Sequence, residues 1–534
     1  MMYRKTFLAA ALLSAGIGLS AAAAFAPPAA AATFKWANDG DANSLDPYTR
    51  SETFQLSFDE NIYEPLVRRD AHLKLEPGLA TSWKQIKPDV WRFKLRPNVK
   101  FQGGEPFTAD DVVFSFHRAT SADSNIQGYF HAVKDVRKVD DLTVDFRTKA
   151  LDPIFPQEIT NWMIMSKAWC EAHNAAMPAN LTKREENFAT RNADGTGPFI
   201  LKLREPDRRT VMVKNPHWWG KQKGNVTEAD FYVISNASTR VAALLSGQVD
   251  MIYSVPPQDI PRLSHAPGFK IAQAPELRTV FLGMDQSRPQ LLKSTVKGKN
   301  PFKDRRVRLA FYEAINDQAI HTAVMRGLSH VTGMVYGPGV NGYDPKQDTR
   351  YPYDPANAKK LLAAAGYPHG FGVTMDCPND RYVNDSQICQ AVSIMLAKVG
   401  VQVTVNAQTK LKFFSEINAP TYHTSFYILG WAPDTYDALN SLYNLGGTRD
   451  GVRGIFNSGG YSSPAFDALL RKIQVQTDET KRNALIGQAS ALLRKDVAYI
   501  PLHQQVVVWA MKKNIQAHPQ PDNYFPLRYV VVGK

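Results

Sequence analysis

The sequence predicts an α/β protein, on three observations. Segments that alternate apolar and polar residues are followed, again and again, by helices with recognisable caps. The stretch 371–405 reads as strand, helix, strand, the pattern of a right-handed crossover between parallel strands. The composition is ordinary for a globular chain: 534 residues, 44% hydrophobic and 21% charged, which excludes collagen-like, coiled-coil and wholly disordered classes. A chain of this length holds about three domains. Its three cysteines are too few for a disulfide scaffold.

Arg4 and Lys5 precede a short apolar core over 7–19, and Ala30-Ala31-Ala32 offers small residues for cleavage before Thr33. That is a cleavable signal peptide over 1–32, so the expected destination is the periplasm. The apolar core is short and runs into Pro27 and Pro28, unlike a membrane anchor, and no cysteine near the cut invites a lipid. Removing the leader takes away Arg4 and Lys5 and lowers the formal charge from +13 to +11. The remaining bases are dispersed and not interleaved with aromatics, so they read as solvated surface charge. Nucleic acid is not an expected partner.

Along the chain, Trp91, Phe93 and Leu95 alternate with Arg92 and Lys94, the period of a half-buried strand. Thr108 followed by Asp110 and Asp111 marks a helix start. Ser238 opens another helix through Leu245, stopped by Gly247, with Val249-Asp250-Met251-Ile252 as the next strand. Asp304 caps a long helix with Val307, Phe311, Ala314 and Ile315 on its apolar face, running to near Gly327. Asp354-Pro355 and Ser463-Pro464 each pair a cap with a proline at the first helical position, and Gly366 ends the first of these helices.

In the crossover, Phe371, Val373 and Met375 form the first strand. Ile388, Val392, Met395, Leu396 and Val399 share a helical face, and Val401, Val403 and Val405 form the second strand. The loop Pro378-Asn379-Asp380-Arg381-Tyr382 follows the carboxyl end of the first strand, where open α/β sheets place ligands. Arg381 offers a planar fork of donors to a carboxylate or phosphate; the alternative is a surface arginine paired with Asp380 or Asp385. Cys377 and Cys389 flank the loop. Either they form a disulfide between the strand end and the helix, or they are two buried thiols. Cys170 is left over.

The common zinc, hydrolase and phosphate-loop signatures are absent. Gly337-Pro338-Gly339-Val340-Asn341-Gly342 has dinucleotide-motif spacing, but no helix opens after it, so it reads as a loop. No catalytic residue, metal site or cofactor is expected.

An ordered series of motifs resembles the family 5 extracellular solute-binding proteins, the dipeptide-, oligopeptide- and nickel-type periplasmic receptors of ABC importers. It runs through Asn43-Ser44-Leu45-Asp46-Pro47, Pro77-Gly78-Leu79-Ala80-Thr81-Ser82-Trp83 and Phe107-Thr108-Ala109-Asp110-Asp111-Val112. Gly195-Thr196-Gly197-Pro198-Phe199, Asn215-Pro216-His217-Trp218-Trp219 and Arg240-Val241-Ala242-Ala243-Leu244-Leu245-Ser246-Gly247 continue it. Asp304-Arg305-Arg306-Val307-Arg308-Leu309-Ala310 and Gly430-Trp431-Ala432-Pro433-Asp434 complete it.

The resemblance implies a two-lobed, three-domain periplasmic binding protein of the cluster C type. A discontinuous first-lobe domain would take 33–64, 190–275 and 504–534, with an inserted extra domain at 65–189 and a second-lobe domain at 276–503. It implies a receptor, not an enzyme, that closes on short peptides and delivers them as a monomer to an ABC permease and ATPase complex. A non-peptide anion (an opine, sugar derivative or chelate) is the alternative ligand. By position in the family's motifs, Asp434 would receive the peptide ammonium, with Trp431 at the cleft wall; its other reading is a cap for the helix that follows. Arg381 would take the peptide carboxylate. Thr53 and Phe54 would touch the ligand from the first lobe. Trp162 would face the cleft from the inserted domain or, alternatively, pack in the core.

Overall fold

The computed structural model describes residues 32–50 and 52–533. The expected leader lies outside the described residues except for Ala32, which opens the first strand, Ala32–Asn38. Among the described residues no helix is long and apolar enough to cross a membrane.

The described residues form one large mixed sheet. At one end Gln402–Gln408, Gly372–Pro378 and Phe426–Trp431 lie parallel. Toward the other end Ala32–Asn38 lies parallel to Val226–Val233 and to Met251–Ile252. Between these groups run two long antiparallel strands, Phe269–Met284 and Tyr499–Lys512. They pair from Phe269 opposite Lys512 to Pro275 opposite Val506, and again from Thr279 opposite Gln504 to Gly283 opposite Tyr499. The register breaks between Pro275 and Thr279; Pro275 has no N–H to give to the ladder.

The apolar cores divide on either side of that break. Phe34, Trp36, Phe58, Phe231, Trp509 and Phe525 lie in one core, and Ala37, Leu244, Val249 and Leu263 in a smaller one beside it. Phe302, Phe311, Phe371, Val392 and Phe426 belong to a core on the far side, and Phe281, Leu442, Phe466 and Ile486 to its companion. Burying each such aromatic or leucine side chain stabilises the fold by about 1.5–3 kcal/mol. These groups are the two lobes. A separate antiparallel sheet, in the order Ala80–Lys87, Val90–Leu95, Thr143–Thr148, Val133–Asp140, shares the first lobe's core through Phe93 and Phe146.

Local signals were met where a cap or an alternation was strong. Val90–Leu95 buries Phe93 and Leu95 while Lys94 is exposed. Thr108 and Asp111 form a reciprocal capping box on Ala109–Ala119. Asp354 and Ser463 cap Pro355–Ala364 and Pro464–Val475.

Three boundaries differ from expectation. The helix before Gly247 is Ala237–Leu245, capped by Asn236 in place of Ser238. The strand after it is only Met251–Ile252. The helix capped by Asp304 ends at Ala314, because Asn316 starts a new turn, its side chain accepting from the Ala319 N–H.

Candidate ligand-binding cleft

Parallel strands all present their carboxyl ends on one edge, and the loops leaving that edge hold the candidate groups. In the second lobe, Arg381 follows strand Gly372–Pro378, Asp434 follows strand Phe426–Trp431, and Lys410 follows strand Gln402–Gln408. In the first lobe, helix Thr53–Asp59 follows strand Ala32–Asn38, and Tyr253 follows Met251–Ile252. The two edges meet across a cleft. The Arg278 guanidinium donates to Thr53 Oγ1 at 3.4 Å, and Lys410 lies 3.9 Å from Glu52.

Asp434 keeps exposed surface yet is surrounded by protein, the combination expected of a side chain that lines an enclosed cleft. Desolvation pushes its carboxyl up to about 6, against the pull of Arg278. The carboxylate has no hydrogen bond or ion pair among the described residues. Nor is Asp434 a helix cap. Asp437 caps the short helix Ala438–Ser441, its Oδ1 accepting from the Leu439 N–H at 2.9 Å.

Arg381 is half-buried, and its guanidinium makes no ion pair or hydrogen bond among the described residues; it lies 5.6 Å from the centre of the Tyr382 ring. The expected carboxylate partners are engaged elsewhere. Asp385 accepts from the main-chain N–H groups of Arg381 and Tyr382, and Asp380 accepts from the Lys410 N–H. Desolvation lowers the Arg381 pKa, Arg278 adds to that, and Tyr382, Glu52 and Glu276 oppose it.

The loop under Arg381 is fixed at both ends. Cys377 and Cys389 are joined in a disulfide that ties the strand to the second turn of helix Asp385–Ala397. Tyr382 packs its ring edge on Gly430, where an added Cβ would sit 2.6 Å from the ring.

Trp431 stands opposite Thr279 in the sheet. Its ring lies 4.8 Å from that of Phe456, and its N–H donates to Asn440 at 3.0 Å. Phe54 packs among Phe58, Phe231 and Tyr253 and remains half-buried. Trp162 corrects the expectation that it faces the cleft. It is fully buried among Phe130 and Phe146, and its N–H donates to Tyr48 at 3.0 Å, so it has neither exposed surface nor a free donor. Cys170 is also buried, and burial raises its thiol to about 12, leaving it unreactive.

Sequence reasoning missed Arg278 and Glu276. They are paired at 3.1 Å, and the second Glu276 oxygen accepts from Gln505 at 2.9 Å. The signal was present: opposite charges two residues apart share one face of a strand, here beside the register break. Arg278 is the charged neighbour common to Asp434 and Arg381.

The profile described as "Bacterial extracellular solute-binding proteins, family 5 Middle" matches residues 74–452. The glutathione-binding protein GsiB of Pectobacterium atrosepticum is 26% identical over 520 residues, covering 95% of this chain and 96% of that protein. Di/tripeptide-binding protein 1 of Pseudomonas aeruginosa is 25% identical, covering 96% of both. Among solved structures, the periplasmic binding protein DppA of Helicobacter pylori in complex with the peptide STSA superposes with a TM-score of 0.78. It is 24% identical and covers 94% of this chain and 98% of that one. AgaA of A. tumefaciens R10 in complex with agropinic acid superposes at 0.75, with 21% identity and 92% and 95% coverage. At these identities the superpositions establish the two-lobed periplasmic-binding-protein fold.

Proposed function

Because the chain belongs to family 5 of the bacterial extracellular solute-binding proteins, we propose that it captures short peptides between its lobes and delivers them to an ABC import permease and its ATPase. One observation carries this reading: Asp434 and Arg381 are opposite charges, desolvation disfavours the charge on each, and neither has an ion partner among the described residues. A zwitterion supplies both partners at once, its ammonium to Asp434 and its carboxylate to Arg381. Thr53 and Phe54 close over it from the first lobe, and Trp431 forms a wall. Relatives named for glutathione and for di- and tripeptides support the reading.

The receptor works as an exported periplasmic monomer and does no chemistry on its ligand. Its lobes rotate about the register break between Pro275 and Thr279. That hinge separates a second-lobe domain, 276–503, from a first lobe of 33–64, 190–275 and 504–534 with 65–189 inserted.

The test is native mass spectrometry of protein purified without denaturation, followed by calorimetric titration of whatever is released. Di- to pentapeptides that rebind establish the reading. A released non-peptide anion that rebinds, with no affinity for trialanine or glutathione, overturns it.

A further inference from the structure

The loop that presents Asp434 is held from the opposite side of the cleft by groups that grip its main chain. Arg69, at the end of strand Val67–Arg69, lies at the centre of that grip. One arm of its guanidinium donates to the main-chain oxygen of Leu73 at 2.7 Å, fixing its own hairpin. The other donates to the main-chain oxygen of Thr435 at 2.9 Å, 366 residues away. The guanidinium plane lies 3.9 Å from the centre of the Tyr436 ring. Tyr436 has a φ of +59°, a conformation that aromatic residues seldom adopt unless their surroundings enforce it.

Two neighbours complete the hold. Asn161 donates to the main-chain oxygen of Asp434 at 3.3 Å, and the Tyr436 hydroxyl donates to Asp522 at 3.1 Å. Beneath them Leu73 is buried in the second lobe's apolar core with Leu277 and Val340. Only main-chain atoms of Asp434 and Thr435 are gripped, and the Asp434 carboxylate is left to the cleft.

We propose that Arg69 is a positioning residue that couples ligand capture at Asp434 to closure of the lobes. Two opposing contributions meet here. With an empty cleft, closure partly desolvates Asp434 and Arg381, which have no ion partner among the described residues, and this favours opening. The Arg69 grip exists only when the lobes are together, so it favours closing. A ligand that neutralises both charges removes the opposing contribution, and the grip then holds the closed form. Arg69 therefore acts on how long a ligand stays, not on how fast it arrives. The choice of a peptide as ligand rests on the proposed function; the grip itself does not.

The experiment compares wild type with Arg69→Ala and with Arg69→Lys, a milder change that keeps the charge and loses the fork. Stopped-flow kinetics with trialanine give kon and koff, and small-angle X-ray scattering reads lobe opening with and without trialanine. In Arg69→Ala, koff is expected to rise at least tenfold with kon within threefold. With trialanine present, the radius of gyration is expected to exceed that of wild type, with Arg69→Lys intermediate and the melting temperature of the lysine variant near wild type. Unchanged koff and unchanged scattering in either folded variant overturn the proposal. If trialanine does not bind wild type, native mass spectrometry of the proteins purified without denaturation decides: less co-purified ligand in Arg69→Ala than in wild type supports the grip, and equal retention overturns it.

Discussion

Asp385 holds Arg381 by its main chain and leaves its side chain unclaimed: the Asp385 carboxylate accepts from the Arg381 N–H at 2.9 Å, while the guanidinium has no ion partner among the described residues. The next N–H, of Tyr382, goes to the same oxygen at 3.1 Å. A carboxylate that elsewhere would quench an arginine here orients it. Removing a partner from a hydrogen-bonded charge pair costs about 2–5 kcal/mol, so Arg381→Ala is expected to weaken trialanine binding by about 30- to 5,000-fold. The same variant should bind trialanine amide as well as wild type does. Isothermal titration with both peptides decides; equal losses for acid and amide would remove Arg381 from the role.

Asp434 predicts a dependence on pH. Its carboxyl titrates at about 6 in the ligand-free cleft, whereas a peptide ammonium titrates near 8. Affinity should be flat from pH 7.5 to 6.5 and then fall below 6, approaching tenfold per pH unit. In Asp434→Asn, binding should be weak and flat over the same range. Stability has the opposite sign. The folded value lies above the unfolded 3.8, so ionised Asp434 destabilises the empty receptor above about 6 and ceases to do so as pH falls toward 4. Asp434→Asn should therefore melt higher than wild type at pH 7.5, with the difference shrinking by pH 4.5.

Gly430 is a steric prediction. A methyl there meets the Tyr382 ring at 2.6 Å, and overpacking of this kind costs about 1–3 kcal/mol. Gly430→Ala should displace Tyr382 and, with it, Arg381. The expected result is a folded protein with at least tenfold weaker peptide binding, checked by thermal unfolding alongside titration. Wild-type affinity in the variant would show that the ring moves without disturbing its neighbour.

The Cys377–Cys389 bridge spans a sequence separation of 12, which in the chain-entropy picture corresponds to about 3 kcal/mol. Replacing both cysteines with alanine should lower the denaturant midpoint by an equivalent amount and leave the unfolding slope nearly unchanged. Both positions are fully buried, so reductant alone should act slowly on the native protein.

What was legible in the sequence follows from the range of the interactions involved. Caps and strand alternation are decided within a few residues, so Thr108, Asp354 and Ser463 were readable. The crossover over 371–405 was readable because both of its strands and its helix lie within one short segment. The end of the helix at Ala314 was not. The break involves the Asn316 main-chain N–H, which reaches Met395 Sδ at 3.3 Å, a contact between distant segments. Asp434 and Asp437 both stand before the same short helix; which one caps it depends on the backbone path between them, and Asp437 is also fixed by Arg482 at 2.6 and 2.8 Å. Trp162 is a tryptophan in an apolar run, and only the fold shows that Tyr48 takes its N–H. Arg278 acquires its role solely because the sheet brings 276–278 between two loops distant in sequence.

The strand Tyr499–Lys512 has a consequence for how the molecule is made. Its Ala510 and Met511 pair with Met251–Ile252 on one side, and 506–512 pair with 269–275 on the other. The centre of the first lobe's sheet is thus supplied by a segment synthesised more than 200 residues after the strands on either side of it. Until the strand Tyr499–Lys512 has been synthesised, the strands on either side of that gap have unpaired edges, and the first lobe cannot complete its native sheet. A first lobe wired in this way stays unfinished until that distant strand has been made, however early its other strands emerge.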